Sequence, residues 1–251
     1  MQLSEDQIVD NWNEMLSLVE NNFTDERKTK LLKMYEFFQD RMILMPASGK
    51  EHFHNSWPGG YISHILNVVK IAEKLFSMYI DLGLKTTDYT KENIVFCALN
   101  HDLGKVGDID NDYYIPNESE WHRINQGKIY TFNSKLDYMT VTDRTIYLLN
   151  QFGIKMSKEE FLALRLADGL YEEYNKKYYV TFDDAYQIKT NLPFIIHHAD
   201  CIATRFEYEQ WKYSNVSVDK KVGTMKKEQK PKLEIINGKR IFDELFGKKD
   251  E

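Results

Sequence analysis

The clearest chemical signal in the sequence is the run His101-Asp102-Leu103-Gly104-Lys105, which closes an apolar segment and opens a loop. An imidazole beside a carboxylate suits a divalent cation such as Mn²⁺, Fe²⁺, Ni²⁺, Co²⁺ or Zn²⁺. Adjacent side chains on a helix diverge by about 100° around its axis, so both groups can serve one centre only where the helix ends. Gly104 accepts the backbone angles of a helix C-terminus, and we therefore predict that it supplies this ending. An isolated His-Asp pair is also typical of a helix end whose histidine is satisfied by hydrogen bonds.

Two more polar residues lie in apolar segments with a helical pattern. His64 is surrounded by isoleucine and valine near the start of one segment, and Asp200 lies within an Ile- and Ala-rich segment. A buried imidazole needs a hydrogen-bond partner, and a buried carboxylate is unfavourable unless it is paired or bound to a metal. Alone, such a histidine is more often a hydrogen-bonded core residue than a ligand. Ligation of one shared cation explains His64, the His101-Asp102 pair and Asp200 together.

The motifs Gly-Gly-Tyr-x-x-His at residues 59–64 and His-Asp-x-Gly-Lys at 101–105, followed by a distant helical Asp, resemble the HD-domain superfamily of metal-dependent phosphohydrolases. The resemblance covers about residues 50–210. It implies an all-helical fold and a set of four metal ligands, His64, His101, Asp102 and Asp200. His54 lies ten residues before His64 and resembles the histidine that precedes the corresponding helix in HD-type 3′→5′ exoribonucleases.

The sequence departs from the dinuclear HD enzymes, which carry two further histidines between the His-Asp pair and the last Asp. No histidine occurs between His122 and His197. Asp168 or Asp143 could substitute, but a site with one ion is the simpler interpretation, and the diiron oxygenase branch is disfavoured. We therefore predict one divalent ion per site, chosen from Mn²⁺, Mg²⁺, Fe²⁺, Ni²⁺, Co²⁺ and Zn²⁺.

Roles follow for the residues around this centre. Asp102 and Lys105 are predicted to be catalytic, because Lys105 lies three residues beyond Asp102 and can stabilise charge on phosphoryl oxygens. His197 precedes Asp200 by three residues on the same helix face, so we predict that it orients the site or acts as general acid. The residues predicted to bind substrate are His54, Lys105, His122, Arg123 and Lys128.

The leading hypothesis is a phosphohydrolase that uses a metal-activated water to cleave a phosphomonoester, phosphodiester or phosphoanhydride bond of a nucleotide-type substrate. One alternative is a 3′→5′ exonuclease on single-stranded RNA or DNA. Another is a non-catalytic HD-type binding module in which the metal only clamps the fold.

The elements that must position these residues have an almost entirely helical pattern, which predicts an all-α, HD-domain-like bundle. Residues 62–82 carry apolar side chains on two sides, as expected for a helix at the centre of a bundle. Residues 104–140 are irregular, with a short hairpin near residues 128–132. We divide the chain into an N-terminal helical extension packed on the core (1–45), a catalytic domain (46–213) and a flexible lysine-rich tail with a short docking helix (214–251).

Composition limits the other function classes. The chain has 251 residues, two cysteines and a formal charge of −6, which excludes a disulfide framework and argues against a protein that coats DNA. With no apolar N-terminal segment and no long apolar run, we expect a cytoplasmic protein without a membrane span. The expected partner is a small phosphorylated substrate, and the sequence does not determine an oligomeric state.

Overall fold

Helices carry most of residues 3–51 and 53–219, which are the residues that the computed structural model describes, with backbone alone for 214–219. The all-α class is therefore confirmed. The α-helices are α1 Glu5–Asn22, α2 Asp25–Phe37, α3 Gln39–Leu44, α4 Gly60–Asp81, α5 Lys91–Asn100, α6 Glu120–Gln126, α7 Val141–Gln151, α8 Lys158–Arg165, α9 Lys176–Tyr179 and α10 Leu192–Asp219. Short 3₁₀ turns span Leu103–Val106, Gly169–Tyr171 and Glu173–Asn175. None of the described helices is long and apolar enough to cross a membrane.

Three helices begin with a capping box, in which the cap and the third helical residue satisfy each other's backbone N–H groups. Ser4 caps α1 with Gln7, and Ser157 caps α8 with Glu160. Thr90 is paired in the same way with Asn93 at the start of α5. The sequence predicts all three caps, because this motif is local.

Helix α4 is buried on two sides, as its two apolar stripes predict. Ile62 and Ile65 on one stripe and Val68 on the other are each at most 1% exposed. Helix α5 packs along α4, and α1 and α3 pack against α4 as well. One apolar core is shared by α1–α5, α7, α8 and α10. His64 on α4 and Asn100 at the end of α5 are both fully buried and therefore face the interior of the molecule.

The segment between α5 and α7 forms a two-stranded antiparallel sheet. Strand β1 (Tyr114–Pro116) pairs with β2 (Tyr130–Phe132), and α6 lies between the two strands in the chain. The predicted hairpin at residues 128–132 is thus one strand of a pair whose partner lies earlier in the sequence. Residues 119–127, predicted to be irregular, hold the short helix α6 and its two caps.

Helix α10 continues to Asp219, past the predicted boundary of the catalytic domain at residue 213. The described residues up to Asn215 form one compact unit, and beyond it only the backbone of residues 216–219 is described. The first six residues of the predicted flexible tail, 214–219, are therefore helical, and the rest of the tail with its predicted docking helix lies outside the described residues.

The expected role of Gly104 as a helix ending is wrong. Helix α5 already ends at Asn100, and Gly104 is not among the glycines with positive φ. A Cβ at Gly104 would lie 2.1 Å from the carbonyl oxygen of Val141, and the Gly104 N–H donates to Thr145 Oγ1 at 2.8 Å. Glycine is required here because the turn after α5 packs directly on the backbone of α7.

Gly104→Ala should therefore destabilise the protein by about 1–3 kcal/mol, since the extra methyl group overpacks a backbone contact. The measurement is the urea unfolding midpoint of the full chain at constant m-value. An unchanged midpoint would contradict the close approach of this turn to α7.

Candidate metal centre

The end of helix α5 brings the predicted His-Asp pair into one buried space. His101 is the residue that follows the last helical residue, and Asp102 already departs from helical angles with φ −106° and ψ 11°. This change of backbone direction lets both side chains face the same interior region. His101 is 2% exposed and Asp102 is 5% exposed, so both are buried.

Four predicted ligand atoms from three helical segments converge there. His64 and His101 each present a ring nitrogen and Asp102 a carboxylate oxygen, and these three atoms lie within 4.8 Å of one another. Asp102 Oδ2 lies 3.7 Å from His64 Nε2 and 3.6 Å from His101 Nε2. From α10, Asp200 Oδ1 lies 3.2 Å from His64 Nε2 and 3.8 Å from His101 Nε2. The structure therefore brings together all four side chains that the resemblance implies as metal ligands.

The outer nitrogen of each imidazole is held by an acceptor. His101 Nδ1 donates to the carbonyl oxygen of Ala98 at 2.9 Å, and His64 Nδ1 donates to Glu207 Oε2 at 3.0 Å. A neutral imidazole that donates from Nδ1 presents a lone pair at Nε2. Both Nε2 atoms are buried and lack a hydrogen-bond partner among the described residues.

This donor set fits a divalent cation. Two buried ring nitrogens and two carboxylate oxygens converge on one space, an arrangement that a bound cation would satisfy. Ligands about 2.1 Å from a tetrahedral ion would be separated by about 3.4 Å. The four nitrogen-to-oxygen distances, between 3.2 and 3.8 Å, bracket that value.

Electrostatics also favour a cation. Asp102, Asp200 and Glu207 are three carboxylates beside one ammonium, Lys105, which leaves an excess of negative charge. Burial disfavours a charged His64, but the Glu207 and Asp200 carboxylates outweigh it and raise the pKa of His64 to about 10. Burial also opposes ionisation of Asp200, yet its contact with His64 holds the pKa of Asp200 below its usual value. A metal ion would replace the proton that this cluster otherwise attracts.

Glu207 is a further residue of the candidate site, which the sequence did not indicate. It is 1% exposed, and its second oxygen accepts from Asn67 Nδ2 at 2.8 Å, so its carboxylate is fixed on both sides. Its sequence signal is spacing, because it follows Asp200 by seven residues and therefore lies two turns along the same face of α10. A carboxylate behind a ligating histidine fixes the tautomer and raises the basicity of the ring.

Glu207→Gln is expected to weaken divalent-cation binding by about 10–100-fold, because the amide keeps an acceptor for His64 but loses the charge. Titration calorimetry with Mn²⁺ on the full chain measures this change. Glu209→Gln is the matched control on the same helix, since Glu209 pairs with exposed Arg205 and leaves the histidines untouched. Equal affinities in the two variants would argue against the assigned role of Glu207.

Lys105 lies beside the cluster, as predicted, but two of the three N–H groups of its ammonium already donate hydrogen bonds. Its Nζ donates to Asp102 Oδ2 at 2.6 Å and to the carbonyl oxygen of Ala47 at 2.9 Å. Burial disfavours the ammonium, yet the Asp102 carboxylate holds the pKa of Lys105 above its usual value. One N–H of this permanent cation is left for another acceptor.

His54 is next to the cluster and borders a cavity. Its ring centroid is 4.8 Å from that of His64, and its Nε2 is buried without a partner among the described residues. Burial lowers the pKa of His54 to about 3, with the charges of His64 and Lys105 as lesser causes, so its ring is neutral. The cavity measures about 540 Å³ and is lined by Phe53, His54, Tyr171, Asp200, Cys201, Thr204, Arg205 and Tyr208.

The remaining predicted substrate-binding residues are not connected to the cluster by any described contact. His122 and Arg123 are exposed on α6, where His122 Nδ1 bonds the Ser119 hydroxyl at 2.7 Å. Lys128 forms a backbone bridge with Lys50. Asp143 is one of the two carboxylates that could replace the missing histidines of a dinuclear site. It pairs with Arg165 at 3.3 Å, and its side chain is 49% exposed.

His197 contacts a neighbouring turn. Its Nδ1 donates to the carbonyl oxygen of Ala167 at 2.9 Å, and its ring packs against Tyr179. No described hydrogen bond or ion pair joins it to Asp200 or to the two ligating imidazoles.

Scans against models of protein families, curated proteins and solved structures each return no match for this chain. The function of the site is therefore inferred from the chemistry of its residues.

Proposed function

We propose that this chain is a metal-dependent phosphohydrolase of the HD type, acting on a small nucleotide-type phosphate ester. The observation that carries the proposal is the buried cluster in which two unpartnered imidazole nitrogens face the carboxylates of Asp102 and Asp200. Both nitrogens are turned inward because acceptors hold the other side of each ring. Such a set would hold one divalent cation, and the HD-type arrangement of the bundle is part of the same proposal.

His64, His101, Asp102 and Asp200 would hold the ion, which when bound supplies an activated water and a Lewis acid for the phosphoryl group. Glu207 keeps His64 in the ligating tautomer. The remaining N–H of Lys105 can donate to a phosphoryl oxygen as negative charge develops on it, which favours the transition state over the bound ester. Because Lys105 is fixed by Ala47 and Asp102, its position does not have to be organised during the reaction.

The cavity beside Asp200 supports a small substrate. Its volume, about 540 Å³, lies within the range of small-molecule sites. Three aromatic side chains, Phe53, Tyr171 and Tyr208, line it together with Arg205. Aromatic faces suit a nucleobase, and a guanidinium suits a phosphate. Arg205 uses its Nε on Glu209 at 2.8 Å, so its two terminal nitrogens remain for an anion.

The test is a hydrolysis panel on the full chain, stripped with a chelator and reloaded separately with Mn²⁺, Mg²⁺, Fe²⁺, Ni²⁺, Co²⁺ or Zn²⁺. The substrates are 5′-mononucleotides, cyclic dinucleotides, nucleoside triphosphates, p-nitrophenyl phosphate and a short single-stranded oligonucleotide. We expect cation-dependent release of phosphate, fastest with mononucleotides. Faster trimming of the oligonucleotide would instead favour the exonuclease.

A protein that binds one cation per chain and turns over no member of the panel would overturn the proposal. In that case chelation should unfold the protein while the loaded form stays inert, which is the behaviour of a structural metal clamp.

A further inference from the structure

The turn Ala167-Asp168-Gly169 after helix α8 is fixed by side chains from three other elements. The carbonyl oxygen of Leu166 accepts from Tyr179 Oη at 2.8 Å, and that of Ala167 accepts from His197 Nδ1 at 2.9 Å. The carbonyl oxygen of Gly169 accepts from the buried Asn175 Nδ2 at 3.0 Å. Side chains from α9, α10 and the adjoining 3₁₀ turn thus hold successive parts of one short turn.

Gly169 makes this arrangement feasible. Its φ is +54°, which L side chains rarely adopt, and a Cβ there would lie 2.0 Å from the His197 ring. The imidazole therefore covers the backbone of the turn and donates to it at the same time. Such extensive fixation of a short turn is typical of a segment whose side chain must be held in one place.

The side chain held in this way is Asp168. It is mostly buried, and among the described residues it makes no hydrogen bond and no ion pair. Its Oδ atoms are not among the fully buried unpartnered atoms, so the carboxyl group keeps contact with the solvent-accessible space.

Asp168 interacts electrostatically with charged and titratable groups from several segments of the chain. Burial, together with the Asp102 and Asp200 carboxylates, raises the pKa of Asp168 to about 7, although the Lys105 ammonium opposes this rise. The other groups that interact with it are Glu172, Tyr113 and Tyr179. His197, which holds this turn, lies about one helical turn before Asp200 on α10, so the turn lies next to the candidate metal cluster, and Asp168 is outside the set of four ligands.

We infer that Asp168 is the general acid of the proposed hydrolysis, and that His197, Asn175 and Tyr179 are positioning residues that hold its turn. This inference rests on the proposed function. It assigns the proton-transfer role to Asp168, where the sequence alone favours His197.

The activated water has given one proton to solvent, and its oxygen bonds to phosphorus while the bond from phosphorus to the leaving oxygen breaks. The electron pair of the broken bond stays on the leaving oxygen. The protonated carboxyl group of Asp168 donates its proton to this oxygen, which departs as a hydroxyl group. The Asp168 carboxylate then regains a proton from solvent, so no oxidant or other reactant is needed.

The test compares Asp168→Asn with Asp143→Asn, a control that removes a carboxylate exposed on α7. With a mononucleotide, Asp168→Asn should lower kcat by about 10²–10⁴-fold while cation stoichiometry stays unchanged. The wild-type rate should decline at high pH as Asp168 loses its proton, and this decline should disappear in Asp168→Asn. With p-nitrophenyl phosphate the deficit should shrink, since p-nitrophenolate departs without needing a proton.

His197 variants separate positioning from catalysis. His197→Asn places an amide N–H near the position of Nδ1 and should retain most of kcat, whereas His197→Ala should lose about tenfold and keep the wild-type pH profile. If His197→Asn is as damaged as His197→Ala and loses the decline at high pH, His197 is the acid and the inference is overturned.

Failure of this inference can be told apart from failure of the proposed function. A wild type that is active alongside an equally active Asp168→Asn refutes the role of Asp168 alone. A wild type that is cation-loaded and inactive on the whole panel refutes both.

Discussion

Asp102→Asn is expected to lose the stoichiometric cation and, with it, hydrolysis of every substrate in the panel. Asp102 Oδ2 faces both imidazoles, at 3.7 Å from His64 Nε2 and 3.6 Å from His101 Nε2. The amide is nearly the same size but neutral, so the cluster loses one of its anionic donors. Mutation of a residue that only hydrogen-bonds to a metal ligand weakens metal binding by about 10–100-fold. Loss of a direct ligand should weaken binding by more than that.

Asparagine is chosen because it should leave the fold intact, so that loss of the cation can be distinguished from unfolding. Its side-chain oxygen can still accept from Lys105, which in the native protein donates to Asp102 Oδ2 at 2.6 Å. Cation content after gel filtration and kcat/KM are the readouts, with Asp143→Asn as the control. A folded Asp102→Asn that retains both would refute the metal centre proposed here.

Asp168→Asn is expected to raise the stability of the cation-free protein at neutral and alkaline pH, although it lowers activity. The folded pKa of Asp168 is about 7, against an ordinary value of 3.8, so ionisation is disfavoured in the fold. At low pH the carboxyl is protonated in both states and imposes no penalty. As the pH rises from about 4 to about 7, only the unfolded chain gains the charge readily, and the fold loses stability on the order of 3–4 kcal/mol.

The uncharged amide removes this penalty, so the difference in unfolding free energy between Asp168→Asn and wild type should grow through that pH window and then level off. Urea titrations in chelator at about pH 4 and pH 8 measure it. A variant that is equally stable, or less stable, at the higher pH would contradict the buried environment of Asp168. Gain of stability with loss of activity is typical of functional residues.

The sequence predicts the core of the site because each ligand carries a local signal. His64 and Asp200 are polar residues in otherwise apolar helical segments, and burial of such groups requires a partner. The capping boxes at Ser4 and Ser157 are equally local, and they locate the starts of α1 and α8. Each of these predictions depends on residues within a few positions of one another.

What the sequence could not supply depends on contacts between distant segments. Gly104 looks like a helix ending, but its absent side chain makes room for Val141, 37 residues further along the chain. Glu207 has a detectable periodicity with Asp200, yet its role follows only from its contact with His64 on another helix. Asp168 resembles any loop carboxylate until His197, Asn175 and Tyr179 are seen to hold its turn.

The most direct test of the central claim is anomalous diffraction from crystals of the full chain grown with Mn²⁺. We predict a single strong anomalous peak bonded to His64 Nε2, His101 Nε2, one carboxylate oxygen of Asp102 and one of Asp200, at about 2.0–2.2 Å. A peak ligated by other residues, or no peak at these four side chains in crystals saturated with the metal, would contradict the account.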